Sequence, residues 1–70
     1  MENLKNLRQE RGLTQNQLCE ELKKQNYYIS RSAYAKYEAD IREMNYETLI
    51  NLALFFNTST DYIIGFSDKR

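Results

Sequence analysis

The chain has no histidine, no proline, one cysteine and two glycines among its 70 residues. Without histidine there is no imidazole to act as a general base or a metal ligand, and one thiol cannot build a thiolate metal site. Cys19 cannot form an internal disulfide, which fits a reducing cytoplasm. It lies beside Leu18, one position off the Leu18–Leu22 stripe, and suits a small buried hydrophobe better than a reactive thiol. The absence of proline, with glycine only at positions 12 and 65, leaves few helix breakers. No stretch approaches the roughly 20 apolar residues that span a bilayer. The N-terminus has no basic-then-apolar leader with a small-residue cleavage site, so secretion is not expected. No glycine-rich loop is present to cradle a phosphate. The carboxylate pairs Glu20–Glu21 and Asp40–Glu43 should face solvent with no cleft behind them. Neither an enzyme nor a cofactor is expected.

Hydrophobic residues make up 41% of the chain, well above what disorder would give. Seventy residues form at most one domain. A core of that size supplies only about 3–5 kcal/mol, so close packing or an oligomer partner is expected. Ten basic and ten acidic residues cancel, which argues against non-specific coating of polyanions. The distribution matters more than the sum. Five basic residues (Lys23, Lys24, Arg31, Lys36, Arg42) and two acidic ones (Glu38, Asp40) fall between positions 23 and 42.

Hydrophobic spacing predicts five helices and no strand. The first covers about Glu2 to Arg11, with Leu4 and Leu7 on one face, and Gly12 suits the left-handed residue after its end. Thr14 suits an N-cap, and Gln17 three places on completes a capping box. The second helix runs from Gln15 to about Gln25 with Leu18 and Leu22 inward. Asn26 to Ile29 breaks the pattern, since Tyr27, Tyr28 and Ile29 are poor helix formers in a row. Ser30 or Ser32 can cap the third helix. Ser30 is preferred because Tyr34 and Tyr37 then share a face with Ile41. Ala39–Asp40 ends that helix, Asp tolerating a left-handed backbone better than most residues. Asn45 caps a fourth helix with Glu47 in its first turn, where the dipole favours an acid. Leu49, Leu52, Ala53 and Phe56 form its apolar stripe. Ser59 caps a short fifth helix, with Asp61 in its first turn, that stops at Gly65. Residues 67–70 form a tail after a domain of 1–66.

The segment from Leu13 to Glu38, LTQNQLCEELKKQNYYISRSAYAKYE, is the most informative. It reads as two capped helices and a connector, the second helix leading with Arg31 and Ser32 and carrying Lys36. A short helix led by basic and hydrogen-bonding side chains and braced by a preceding helix suits the major groove of DNA. Four pieces in this order are quite specific together: LRQERGLTQ, SRSAYAKYE, the ETLINLA helix and the STDYIIG ending. In them the chain resembles the Cro/C1-type (XRE) helix-turn-helix repressors of bacteria and phages. The resemblance implies an all-α, compact five-helix bundle, lambda-repressor-like, with the helix-turn-helix at about 14–38.

By that resemblance, Arg31, Ser32 and Lys36 match base-facing positions. Arg31 is the first choice for guanine, whose O6 and N7 a guanidinium bonds with two donors. Ser32 serves base edges or phosphates, or caps its own helix. Gln15 matches a residue that contacts a phosphate and orients the recognition helix, and Asn16 is a weaker candidate for the same role. Arg8 and Glu38 match an ion pair tying the first helix to the end of the third. The chain departs from the pattern in three places. KKQNYY stands where one Gly usually links Leu22 to Ile29, Asp40 replaces a Gly with Ile41 where a basic residue is common, and Met44 replaces a Pro. The turn is therefore lengthened. Its Lys23, Lys24, Tyr27 and Tyr28 either touch the DNA backbone, or the lysines extend the second helix into solvent while one tyrosine packs down. Arg42 is the backbone candidate after the third helix.

Ile63, Ile64 and Phe66, with Leu54 or Phe55, exceed what so small a core easily encloses. They predict a two-fold homodimer, against a monomer with one hydrophobic cluster. The function expected is sequence-specific, operator-binding transcriptional regulation in the cytoplasm, as a repressor of phage or mobile-element type. The alternative is a protein-interaction module on the same framework, an antitoxin or antirepressor, with another protein (an antirepressor or a toxin) as its partner. No metal and no membrane is expected in either case.

Overall fold

Five helices follow one another in the computed structural model: α1 (Glu2–Glu10), α2 (Gln15–Lys23), α3 (Arg31–Glu38), α4 (Tyr46–Phe56) and α5 (Thr60–Ile63). The structure describes residues 1–41 and 43–69, so the candidate Arg42 lies outside the described residues. Among the described residues there is no strand.

The last four helices start on a side-chain cap, each at the residue expected. The Thr14 hydroxyl accepts from the Gln17 N–H at 3.0 Å, and the Gln17 side chain accepts from the Thr14 N–H at 2.8 Å. Ser30, Asn45 and Ser59 each accept from the N–H three residues on, at 3.1, 2.8 and 3.0 Å. Ser30 rather than Ser32 therefore opens α3, and Ser32 is left exposed.

The helix ends share one solution. Gly12, Asn26, Asp40, Asn57 and Gly65 all have positive φ, between 52° and 84°. At each, two backbone bonds close back onto the helix: Leu13 N–H to Arg8 and Gly12 N–H to Gln9, for example, or Ile41 N–H to Lys36 and Asp40 N–H to Tyr37. This is the Schellman pattern. Asn and Asp serve where glycine is scarce, because their short polar side chains tolerate that backbone. It also corrects two expectations. α2 ends at Lys23 rather than Gln25, since Asn26 turns the chain. Ile41 does not share the Tyr34–Tyr37 face. Asp40 diverts it, and Ile41 is exposed.

The core gathers Leu4 and Leu7 from α1, Leu18, Cys19 and Leu22 from α2, Tyr34 from α3, Leu52, Ala53 and Phe56 from α4, and Tyr62 and Ile63 from α5. Ile63 was expected at a dimer surface. It is instead 1% exposed within this cluster, because α5 is one turn long and packs this side on α1 and α4. Ile64 and Phe66 are exposed as expected. Cys19 is buried, and burial pushes its thiol up from its ordinary pKa.

Across this core, α1 and α3 are joined by charge. Arg8 Nε donates to Glu38 Oε2 at 2.9 Å and Nη2 to Oε1 at 2.8 Å, while Nη1 donates to the Leu13 carbonyl at 2.8 Å. The two side chains are only 11% and 5% exposed. Burial raises the Glu38 carboxyl, but hydrogen bonding from Arg8 and neighbouring side chains, together with the Arg8 charge, outweighs it and holds the group below its ordinary value.

Removing one partner leaves a buried charge alone, so Glu38→Ala is predicted to lose about 3–5 kcal/mol in urea unfolding. A loss within error of zero would remove the pair from the energetics. Because the folded carboxyl has the lower pKa, its contribution is complete above the unfolded value of about 4.3 and is lost as pH falls through the folded value. Glu38→Gln should flatten that acid limb of the stability curve. Cys19 should react with a thiol reagent only at the rate of opening, and rapidly in urea. Fast labelling of the native protein would contradict its burial.

Candidate nucleic-acid interface

α3 has two unlike sides. Tyr34, Tyr37 and Glu38 are buried, and they fix its rotation about its own axis. Arg31, Ser32 and Lys36 are exposed on the remaining surface. Neither Arg31 nor Lys36 is in a salt bridge among the described residues. Lys36 lies in the last turn of α3, where the helix dipole favours a cation. The base-facing candidates thus project together from a helix clamped at its far end.

Gln15 and Asn16 open α2. Gln15 is half-buried, and its amide reaches Glu38 Oε1 at 3.4 Å, a weak contact that adds α2 to the Arg8–Glu38 pair. Asn16 is exposed. Lys5, Arg8, Gln15, Ala35, Glu38 and Ala39 line a shallow pocket where α1, α2 and α3 meet.

Lys23 and Lys24 are solvated but already paired. Lys23 Nζ lies 3.0 Å from Glu20, and Lys24 Nζ lies 2.7 Å from Glu21. Their hydrogen bonds to these carboxylates raise both ammonium pKa values. The positive surplus expected between positions 23 and 42 is therefore partly cancelled by the two glutamates just before it. Among the described residues of this segment, the positive charge free of such pairing sits on α3.

The connector sends one of its two tyrosines inward and the other outward. The lysines face solvent, Tyr27 packs down and Tyr28 stands out, 74% exposed. Tyr27 shares a hydrogen bond with the hydroxyl of Thr48, which is buried at the start of α4. Gln25 Nε2 donates to the Asn51 carbonyl at 3.2 Å. Sequence reasoning missed both bonds. The only trace of the first was a threonine on the inner side of a mostly apolar helix, and the second, to a backbone carbonyl, left none. A groove of about 350 Å3 runs between α2 and the connector, lined by Asn16, Glu20, Lys23, Tyr28 and Arg31 among others. Among the described residues no His, Cys, Asp and Glu group is placed to hold a metal, and no helix is long and apolar enough to cross a membrane.

Residues 4–63 match a family described as Helix-turn-helix. The chain is similar to the protein named "Uncharacterized HTH-type transcriptional regulator YqaE" of Bacillus subtilis (strain 168), at 40% identity over 99% of this chain and 56% of that one. It is also similar to "HTH-type transcriptional regulator ImmR" of the same organism, at 38% identity over 89% of this chain and 45% of that one. The chain spans about half the length of the curated relatives it matches. No solved structure matches it significantly. With the match running from α1 to α5 and with relatives of this kind, the chain belongs to the XRE-type helix-turn-helix family of transcriptional regulators.

Proposed function

We propose that the chain is a sequence-specific DNA-binding regulator, a repressor of phage or mobile-element type that occupies a palindromic operator as a homodimer. One observation carries the reading. α3 is a capped, core-anchored rod whose exposed surface holds Arg31, Ser32 and Lys36, with no carboxylate among the described residues bonded to them. Arg31 reads guanine, Ser32 and Lys36 contact neighbouring base edges, and the N-terminal end of α2 with Gln15 and Asn16 rests on the phosphates. Lys23 and Lys24 act only where a phosphate displaces their glutamates. Exposed Ile64 and Phe66 supply the two-fold contact, and the recognition helices then address half-sites roughly 34 Å apart.

A second reading is supported by α4. Tyr46, Ile50 and Leu54, spaced four apart, are all exposed. That stripe suits a protein partner of the antitoxin or antirepressor kind. The two readings separate by salt, since DNA affinity falls steeply with salt as counterions return to phosphates and an apolar contact does not.

Selection from random duplexes should return a symmetric site. Arg31→Ala is then predicted to relax one base position, with a loss of about 1–3 kcal/mol of discrimination there. Gln15→Ala should weaken selected and scrambled duplexes alike. Equal wild-type affinity for both duplexes would defeat the proposal. Sedimentation at micromolar concentration should show a dimer that Phe66→Ser converts to monomer, whereas a monomeric wild type would remove the two-fold operator.

A further inference from the structure

The connector between α2 and α3, residues 24–30, is held in place at both ends and along one side. Asn26, at φ 61°, folds the end of α2 back on itself. Gln25 is bonded to the α4 backbone and Tyr27 to Thr48. Ser30 then caps α3. Between these fixed points no helix forms, and burial alternates: Tyr27 half-buried, Tyr28 exposed, Ile29 half-buried and packed on the core, Ser30 exposed. Alternation of this kind follows from extended backbone, in which successive side chains point to opposite sides. With Tyr27 and Ile29 directed inward, Tyr28 is directed outward.

Its surroundings give that exposure a use. Tyr28 lines the same groove as Arg31 and Asn16, three residues ahead of Arg31 at the leading end of α3. Glu20 and Lys23 also line it and are bonded to each other, so they add little net charge. Among these groups, Asn16, Tyr28 and Arg31 are the donors to which no carboxylate of the described residues is attached. A helix that enters the major groove with Arg31 foremost brings the chain just ahead of it against the sugar–phosphate wall. Tyrosine hydroxyls are among the side chains that bond phosphate oxygens and fix register without reading sequence.

We infer that Tyr28 is a further DNA-contacting residue, its hydroxyl donating to a backbone phosphate, and that Tyr27 is its positioning residue through the bond to Thr48. This rests on the DNA-binding reading above and adds to it a second register contact beside α3. A neutral donor differs from a lysine in a measurable way. It contributes affinity but releases no counterion, so its loss leaves the salt slope unchanged.

The test uses the full chain and the duplex recovered by selection, with a scrambled duplex beside it, titrated by fluorescence anisotropy at several salt concentrations. Circular dichroism shows that each variant is folded. Tyr28→Phe is expected to weaken both duplexes by the same factor, about tenfold for one hydrogen bond to a charged group, at unchanged salt slope. Tyr27→Phe is expected to weaken binding too, and the double variant to be no weaker than Tyr28→Phe alone. Unaltered affinity in Tyr28→Phe, with wild type still selecting its duplex, overturns this inference and leaves the DNA-binding reading standing. Loss confined to one base pair would make Tyr28 a base reader and overturn the phosphate contact. An additive double variant removes Tyr27 from the role. Failure of wild type to bind any duplex sinks both readings.

Discussion

The bidentate contact between Arg8 and Glu38 is the constraint on which the arrangement of this small bundle rests. It joins helices thirty residues apart in sequence, and it does so at the end of α3 remote from the exposed Arg31. The third guanidinium nitrogen holds the Leu13 carbonyl, so the same arginine fixes the turn into α2. Gln15 touches the same carboxylate, and Tyr34 is wholly enclosed nearby. Desolvating two charges is costly, and the geometry that offsets it is directional. An apolar contact would hold α3 in the core yet tolerate rotation or sliding. A forked ion pair with a second anchor does not. The presentation of Arg31, Ser32 and Lys36 follows from that fixed rotation.

A chain without proline and with two glycines still needs sharp helix boundaries. Four hydroxyl or amide caps start α2 to α5, and left-handed Gly, Asn or Asp residues end the helices. These local signals made the element order legible. Thr14 with Gln17, Ser30, Asn45 and Ser59 each announce a helix by chemistry that needs no tertiary contact. The left-handed ends at Gly12 and Asp40 were legible for the same reason. Those at Asn26 and Asn57 were not, because asparagine is equally at home in caps, turns and solvent-facing helix positions. Ile63 was misplaced because a one-turn helix offers no periodicity from which to choose its inner side. The period-3.6 pattern that served α4 had nothing to act on in α5.

The candidate interface was legible only where it is local. Exposure of Arg31 and Lys36 follows from Tyr34 and Tyr37 taking the inner positions of an eight-residue helix. The pairing of Lys23 with Glu20 and of Lys24 with Glu21 was missed, although three-residue helical spacing allows it. Among the described residues of the segment it leaves the unpaired positive charge on α3. The connector depended on contacts with α4, twenty-one and twenty-six residues away in sequence, which no local pattern reports. Those contacts turn a long, polar, tyrosine-bearing turn from a loose loop into part of the scaffold that carries α3.

The most direct measurement is of backbone amide chemical shifts on titrating the labelled chain with its selected duplex. Perturbation should concentrate at residues 15 and 16 and from 28 to 36, and leave the exposed surface of α4 quiet. Shifts confined to residues 46–54, with Arg31 and Lys36 unmoved, would mean that α3 does not enter the groove and would contradict the placement of the site.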